Sequence, residues 1–377
     1  MATLALIAVP SACLTPTAPV QGGEATKLAG SAVPSVGDAA ASATGEPVRL
    51  RTGNTPPAML PVPPRSGDLP RPSGAKANLR VLPWAGFRAA VSYTFDDSQP
   101  SQIDHWAELK VEGVRMSFYV NPSNNWYAGY DTTWRDAIAQ GHEIGNHTMN
   151  HCHADLSGCN HPGTMDQEID HCSSYIAERL GQAGVWTFAA PFGDVGYQPY
   201  AAARFLVARG VSPGTVAPSD NTDPFNLPIM GASGGEPAAV FNGHIDAALA
   251  QGRWLIFLFH SILPTSQNWF AGVDITSITG SIEHAKSLGN LWIDSVVDIG
   301  AYWLGQRTFE ASARASAGGK VTWRWSLPAA FPPGHVLRVG VDGGTLSQGG
   351  RPLAWNGHGY YEVALDARAV TWSRDVD

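Results

Sequence analysis

Ala89-Ala-Val-Ser-Tyr-Thr-Phe-Asp-Asp97 is a run of apolar and β-prone residues that ends in two adjacent carboxylates. It predicts a β-strand over 89–95 with polar groups at its C-terminal tip. The chain on either side repeats the pattern. Residues 103–110 are predicted helical, 115–120 a strand, 133–140 helical, and 141–145 a short strand running into a second polar segment, Asn146-His-Thr-Met-Asn-His151. A long amphipathic helix over 164–180 precedes a strand over 185–189. A helix over 201–209 follows, then a strand over 255–259 that ends at His260, and a helix over 278–288. Alternating strands and helices with polar motifs at strand ends are the pattern of an α/β barrel whose chemistry sits on the C-terminal rim.

The two ends of the chain have a different texture. Residues 1–13 form a short apolar stretch ending at Cys13, read as the remnant of a signal or lipoprotein segment although it lacks a positive start. Residues 14–78 are rich in Pro, Ala and Gly without helix or strand period, and read as a flexible or loosely held arm. The barrel domain is assigned to 79–305. Beyond it, 320–325, 336–341 and 360–365 alternate apolar and polar residues between turns, which predicts a small all-β, sandwich-like domain over 306–377. Its Trp323, Trp325, Trp355 and Trp372 suit a packed core that caps the barrel better than a sugar-binding face.

Of the 377 residues 15% are charged, and the formal net charge of −8 disfavours nucleic acid, which needs a basic surface. Few charges with 13 Trp suit a secreted, periplasmic or cell-surface protein that handles sugars. No run approaches the ~18 apolar residues of a membrane span, so a lipid on Cys13 is the membrane link the sequence offers. Outside the cytosol, a disulfide among Cys152, Cys159 and Cys172 fits better than a zinc knuckle, since their spacings match none; the pairing stays open.

Asp96 and Asp97 are consecutive, so on a regular strand they point to opposite sides and can divide the work, one binding a cation and the other accepting a proton. His147 and His151 are four apart. On a helical turn both rings face one way and can share a metal, and Asn146 and Thr148 are residues that start helices. With Asp97 they form a carboxylate and two-imidazole set that leaves positions open for water. His153 falls off that face, and His142 is read as structural. His260 places a titratable ring at the mouth of a strand.

The four segments Thr94-Phe-Asp-Asp97, His147-Thr-Met-Asn-His151, Ala190-Pro-Phe-Gly193 and Leu258-Phe-His-Ser261 resemble the first, second, third and fifth motifs of the NodB-homology polysaccharide deacetylases, also called family 4 carbohydrate esterases. The resemblance covers roughly residues 88 to 303. It implies a distorted (β/α) barrel of the NodB type, a divalent metal (Zn²⁺, with Co²⁺ as an alternative) on Asp97, His147 and His151, Asp96 as general base and His260 as general acid. Pro191 and the backbone N–H near Phe192 would face the oxyanion; apart from the resemblance, Asn121 and Trp126, in a segment that follows a strand and reads equally as a plain turn with a packed Trp, and Trp269 after His260, are candidates to line a sugar groove. The implied partner is an acetylated polysaccharide or oligosaccharide, with an N-acetyl group on a GlcNAc-containing glycan placed first and an O-acetyl group on xylan or a similar polymer second. A carbohydrate-binding protein that has kept the fold without turnover is the third reading.

The chain departs from the family pattern in three places. The third-motif Arg that orients the base is replaced by Ala189, which leaves the orientation of Asp96 unaccounted for. The fourth-motif Asp that buttresses the acid has only Asp220 and Asp223, near Phe225, as stand-ins. Ser98 replaces the usual Gly after the Asp pair.

Overall fold

Seven parallel strands close into a barrel: Ala89–Phe95 (β2), Ser117–Val120 (β3), Glu143–Asn146 (β4), Thr187–Ala189 (β5), Val207–Pro213 (β6), Leu227–Gly231 (β7) and Trp254–Phe259 (β8), with β8 returning to pair with β2. The strand Leu79–Val81 (β1) precedes them and belongs to another sheet. The computed structural model describes residues 59–123, 127–160 and 163–375, all within one compact unit, Pro47–Asp377. Cys13, Trp126 and the first 58 residues lie outside the described residues.

Barrel closure follows from period-two burial. On β8 the side chains of Leu255, Phe257 and Phe259 pack outward against a cluster that includes Tyr93, Phe95 and Phe241, while Trp254, Ile256 and Leu258 join the opposite core. All six are buried, as a strand covered on both faces requires. The register sets the rim. Phe95 lies opposite Phe259, so Asp96 and His260 emerge side by side. Val120 lies opposite Asn146, so Asn121 and His147 emerge level, and Ala189 lies opposite Arg209.

The run 201–209 is not one helix. A helix over Gln198–Arg204 stops, and β6 begins at Val207. Ala201-Ala-Ala-Arg has high helix propensity, but Leu206, Val207 and Ala208 are buried, and pairing with β5 and β7 overrides propensity there. The predicted helix over 164–180 is continuous, but its last turns, Tyr175–Leu180, are wound as a π-helix after Met165–Ser174.

After β8 come a short parallel pair, Ile262–Leu263 (β9) with Val273–Asp274 (β10), and then Leu291–Ile293 (β11), which pairs with the first half of β2. The helix Val296–Glu310 leads to two antiparallel sheets. One holds Ala313–Ala317 (β12), Lys320–Arg324 (β13), Thr345–Gln348 (β15), Arg351–Pro352 (β16) and Ala369–Ser373 (β19). The other holds β1, Val336–Val341 (β14), Trp355–Asn356 (β17) and Tyr360–Ala364 (β18). Trp323, Trp325 and Trp372 are buried in a core shared with Trp254, Trp292 and Trp303 of the barrel side, so they are filler between layers.

Residues just before the barrel pack on this C-terminal layer. β1 is antiparallel to β14, Arg71 pairs with Asp375, and the buried Arg338 donates to the carbonyls of Leu60, Pro61 and Ala85. The segment 59–78 is therefore held by backbone and side-chain hydrogen bonds, and β1 is a strand of the C-terminal sheet.

The floor of the barrel is polar. Glu143 on β4 is fully enclosed and accepts from Ser117 Oγ (2.6 Å), Thr187 Oγ1 (2.5 Å) and the backbone N–H of Val297 (3.0 Å) in the first turn of Val296–Glu310. Burial outweighs these donors and raises its acid from an ordinary 4.5 to about 7. In the unfolded chain Glu143 ionises near 4.5, so between these values unfolding releases its proton. Its contribution to stability is complete below pH 4.5 and is lost as the pH rises through about 7. Glu143→Gln is therefore expected to flatten the fall in unfolding free energy between pH 5 and 8, read by urea denaturation of both proteins.

Candidate active site

The rim residues open into one cavity of about 670 Å³ lined by Asp96, Asp97, Asn121, His147, His151, Phe192, His260 and Trp269. Asp96 continues the inward-facing row of β2, and its N–H donates to the carbonyl of Phe259 (3.0 Å). Asp97 and Ser98 then adopt left-handed backbone, φ 71° and 51°. This breaks the alternation of the strand. The two carboxylates converge rather than facing opposite sides: Asp97 Oδ1 lies 3.2 Å and Asp96 Oδ2 3.8 Å from His147 Nε2. Left-handed φ at position 98 also explains why Gly would be the easier residue there. Here Ser98 accepts the Asn121 N–H at its hydroxyl (3.2 Å), helping to offset the strain.

His147 and His151 meet without a helix. Thr148 and His151 are themselves left-handed (φ 61° and 55°), and the turn is tied by Asn146 Oδ1 accepting from Thr148 N–H (2.8 Å) and Thr148 Oγ1 from His151 N–H (3.0 Å). Asn146 and Thr148 act as local caps of an irregular loop, which is the other use of such side chains. The ring centroids end 4.7 Å apart, with His151 Nε2 3.3 Å from Asp97 Oδ1.

The ligand atoms of Asp97, His147 and His151 all lie within 4.8 Å of one another, the one such group among the described residues. Their chemistry fits a divalent cation. His147 Nδ1 is 2.8 Å from the Ala189 carbonyl, which can only accept, so Nδ1 carries a proton and Nε2 is the atom left for a cation; burial lowers the ring's affinity for a second proton, but Asp96 and Asp97 outweigh it and raise that affinity. Asp97 Oδ1 is buried without a hydrogen-bond donor, although two imidazole nitrogens face it. Burial would raise the Asp97 acid, but the adjacent His147 outweighs it and holds the carboxyl well below its usual range. Burial, and then the neighbouring His147, push His151 down to about 4, so it is a neutral ring at pH 7, as a metal ligand must be. For His147→Ala the expected result is a drop in Zn²⁺ affinity larger than the roughly 10–100-fold that outer-shell changes cost. Titration calorimetry of the purified variant, compared with Trp269→Ala at the rim, checks it.

Asp96 does have an arginine. Arg209 on β6, fully buried, donates from Nη2 to Asp96 Oδ1. It stands one strand away from Ala189 and directly opposite it in register. This residue was missed because the run containing it reads as helix. The one available signal was a lone Arg in a strongly apolar stretch, Phe205-Leu-Val-Ala-Arg209. Two further polar residues clamp the rim: Gln102 Nε2 donates to the carbonyls of Asp96 (2.6 Å) and His260 (3.0 Å), and the Ser261 hydroxyl donates to Gln99.

His260 Nε2 lies 3.9 Å from Asp97 Oδ2, and the His260 ring meets Phe270 edge-on at 4.7 Å. No carboxylate buttresses it from the fourth-motif region. Asp220 accepts from Ala217 and Thr222 N–H groups, and Asp223 from Phe225 N–H and Gln198 Nε2, so both are engaged away from His260. His260 Nδ1 is buried without a hydrogen-bond partner, and burial lowers its affinity for a proton.

Pro191 and Phe192 form a tight turn in which Phe192 has φ 58°. The Phe192 ring, 52% exposed, packs edge-on to His151 at 4.5 Å and stacks on His153 at 4.0 Å. His153 thus supports the rim, 3.7 Å from Asp194, and stays outside the metal group. Trp269, 45% exposed, lines the same cavity. Asn121 is buried, with its side-chain oxygen facing no donor. His142 accepts the Met116 N–H at Nδ1 (3.1 Å), a structural role. Cys152 and Cys159 form a disulfide beside His151, and Cys172 is a buried free thiol.

Residues 88–209 match the family model for polysaccharide deacetylase. A gellan lyase from a Bacillus species is 29% identical over 217 residues, which is 52% of this chain and 8% of that protein, so the chain spans less than a tenth of the length of this curated relative. Similar solved structures include a family 4 acetyl xylan esterase from Clostridium thermocellum in complex with a cobalt ion (17% identity, TM-score 0.37, 56% of this chain and 89% of that one). A polysaccharide deacetylase from Bacillus cereus (16%, TM-score 0.37, 55% and 91%) and a family 4 carbohydrate esterase from Streptomyces lividans in complex with acetate (18%, TM-score 0.34, 55% and 92%) are also similar. The carboxylate pair, the histidine pair and the arginine that holds Asp96 all fall inside the span, about a third of the chain, that the polysaccharide deacetylase family model matches.

Proposed function

We propose that the protein is a metal-dependent hydrolase that removes acetyl groups from a carbohydrate. The observation that carries this reading is the convergence, on one cavity, of an arginine-held carboxylate, a separate carboxylate and two-imidazole group, and a further imidazole. A divalent ion on Asp97, His147 and His151, with Zn²⁺ first and Co²⁺ second, would supply the Lewis acidity that polarises an acetyl carbonyl and makes water a better nucleophile. Arg209 occupies Asp96 Oδ1, so Oδ2 is the atom left to take the proton of the attacking water. The Phe192 turn offers backbone polarity toward the developing oxyanion. His260, 3.9 Å from Asp97 Oδ2, would return a proton to the leaving atom. Trp269 and Phe192, both partly exposed in the cavity lining, would offer faces for sugar rings, with Asn121 as a polar contact in the same lining.

An N-acetyl group on a GlcNAc-containing glycan and an O-acetyl ester of a xylan-like polymer present the same carbonyl. One observation favours the ester. No carboxylate among the described residues faces His260 Nδ1, and an alcohol leaves with less help from an acid than an amine does. Export fits the Cys152–Cys159 disulfide, which persists in oxidising compartments. No described helix is long and apolar enough to cross a membrane.

The test is acetate release from acetylated xylan, chitooligosaccharides and peptidoglycan by protein stripped with chelator and then restored with Zn²⁺ or Co²⁺. Metal-dependent release is expected, and the class that yields it assigns the bond. Binding to one of these glycans without release by any metallated form would replace the hydrolase by a carbohydrate-binding protein.

A further inference from the structure

The guanidinium of Arg209 is held by hydrogen bonds along one edge only. Nη2 donates to Asp96, Nη1 reaches the Gly210 carbonyl at a long 3.4 Å, and Nε is buried without a partner. A planar cation fixed on one edge can still tilt, and tilting would swing the carboxylate it holds. What lies under its face is the ring of Tyr119 on β3, whose centroid is 4.8 Å from the guanidinium carbon. Tyr119 is fully buried and comes from across the barrel interior.

The register explains how two large side chains from β3 and β6 meet there. Tyr119 is paired with Gly145 on β4, where the missing side chain leaves room for its ring, and Arg209 is paired with the small Ala189 on β5. A Cβ at position 145 would lie 2.4 Å from a Tyr119 ring carbon, which leaves glycine as the residue that fits. We propose that Tyr119, seated in the gap left by Gly145, is a positioning residue for the reaction: its ring is the shelf that keeps Arg209 flat and thereby aims Asp96. This inference rests on the hydrolase reading for its kinetic part and on the barrel interior alone for its structural part.

Tyr119→Phe keeps the shelf and Tyr119→Leu removes it. If Tyr119→Leu does not fold, Tyr119→Met, closer in volume, takes its place. The expected result is wild-type kcat in Tyr119→Phe and a loss of about tenfold in kcat in the shelf-less variant, the order of one desolvated cation–π contact. KM and Zn²⁺ affinity should stay within about twofold in both. In an Arg209→Ala background the same change should have no further effect on kcat. A readout independent of turnover is the ¹H–¹⁵N signal of Arg209 Nε, expected to be sharp in wild type and Tyr119→Phe and broadened or exchanged away without the ring. Unchanged kcat and an unchanged Arg209 signal in the shelf-less variant would overturn the proposal, as would an equal loss in Tyr119→Phe. If wild type releases no acetate at all, the hydrolase reading fails, while the Arg209 signal still decides whether Tyr119 holds the guanidinium.

Discussion

Asp96→Asn is expected to lower kcat for acetate release by about 10³–10⁴-fold, at the upper end of what a positioned base contributes, with Zn²⁺ still bound. The amide is isosteric and can still accept from Arg209 at its oxygen, so the barrel should fold. What it lacks is the ability to take a proton. Metal binding should survive because Asp96 is outside the Asp97–His147–His151 group. Paired measurements of kcat and metal content on the same preparation separate the two roles. If Asp96→Asn lost its metal in proportion to its activity, Asp96 would be a ligand, and the division of labour between the two carboxylates would be wrong.

Arg209→Ala should follow, at about 10²–10³-fold in kcat, the range seen when a preorganised electrostatic contact is removed, with KM little changed. The cost has two parts. Asp96 is freed to rotate, and its charge loses its one buried cationic partner, which removal of one member of a buried pair penalises by about 3–5 kcal/mol. A lower Tm is therefore expected alongside the kinetic loss. Arg209→Lys should rescue little, since an ammonium can neither lie on the Tyr119 ring as a planar fork nor reach along the carboxylate edge in the same way. Adding Ala189→Arg to Arg209→Ala returns a guanidinium from the adjacent strand, opposite the vacated position. Partial recovery of kcat in this double variant would show that the requirement is for a cation at Asp96 and not for one residue number. No recovery with restored stability would locate the role of Arg209 in folding alone.

Much of this site was legible in the chain before any fold was considered. Asp96, Asp97, His147, His151 and His260 each stand just after a strand, and in a parallel barrel strand ends share a rim whatever their distance in sequence. The backbone geometry that aims them was less legible. Asp97 was expected to turn away from Asp96, and His147 and His151 were expected on a helix. The left-handed residues at 97, 98, 148 and 151 depend on the turns being closed by the rest of the rim, which no local pattern announces.

Arg209 shows the boundary most clearly. Along the chain it lies 20 residues past Ala189 in a helix-prone run; in the barrel it is the nearest cross-strand neighbour of Ala189. Chain order and periodicity determined that Asp96, Asp97, His147 and His260 stand at the mouth of a parallel barrel. Strand register alone decided which arginine meets Asp96, and which tyrosine lies beneath it. The reason is physical: hydrophobic period and motif spacing act between residues a few positions apart, whereas an ion pair and a stacked ring depend on distance through space, which exists only once the strands are paired.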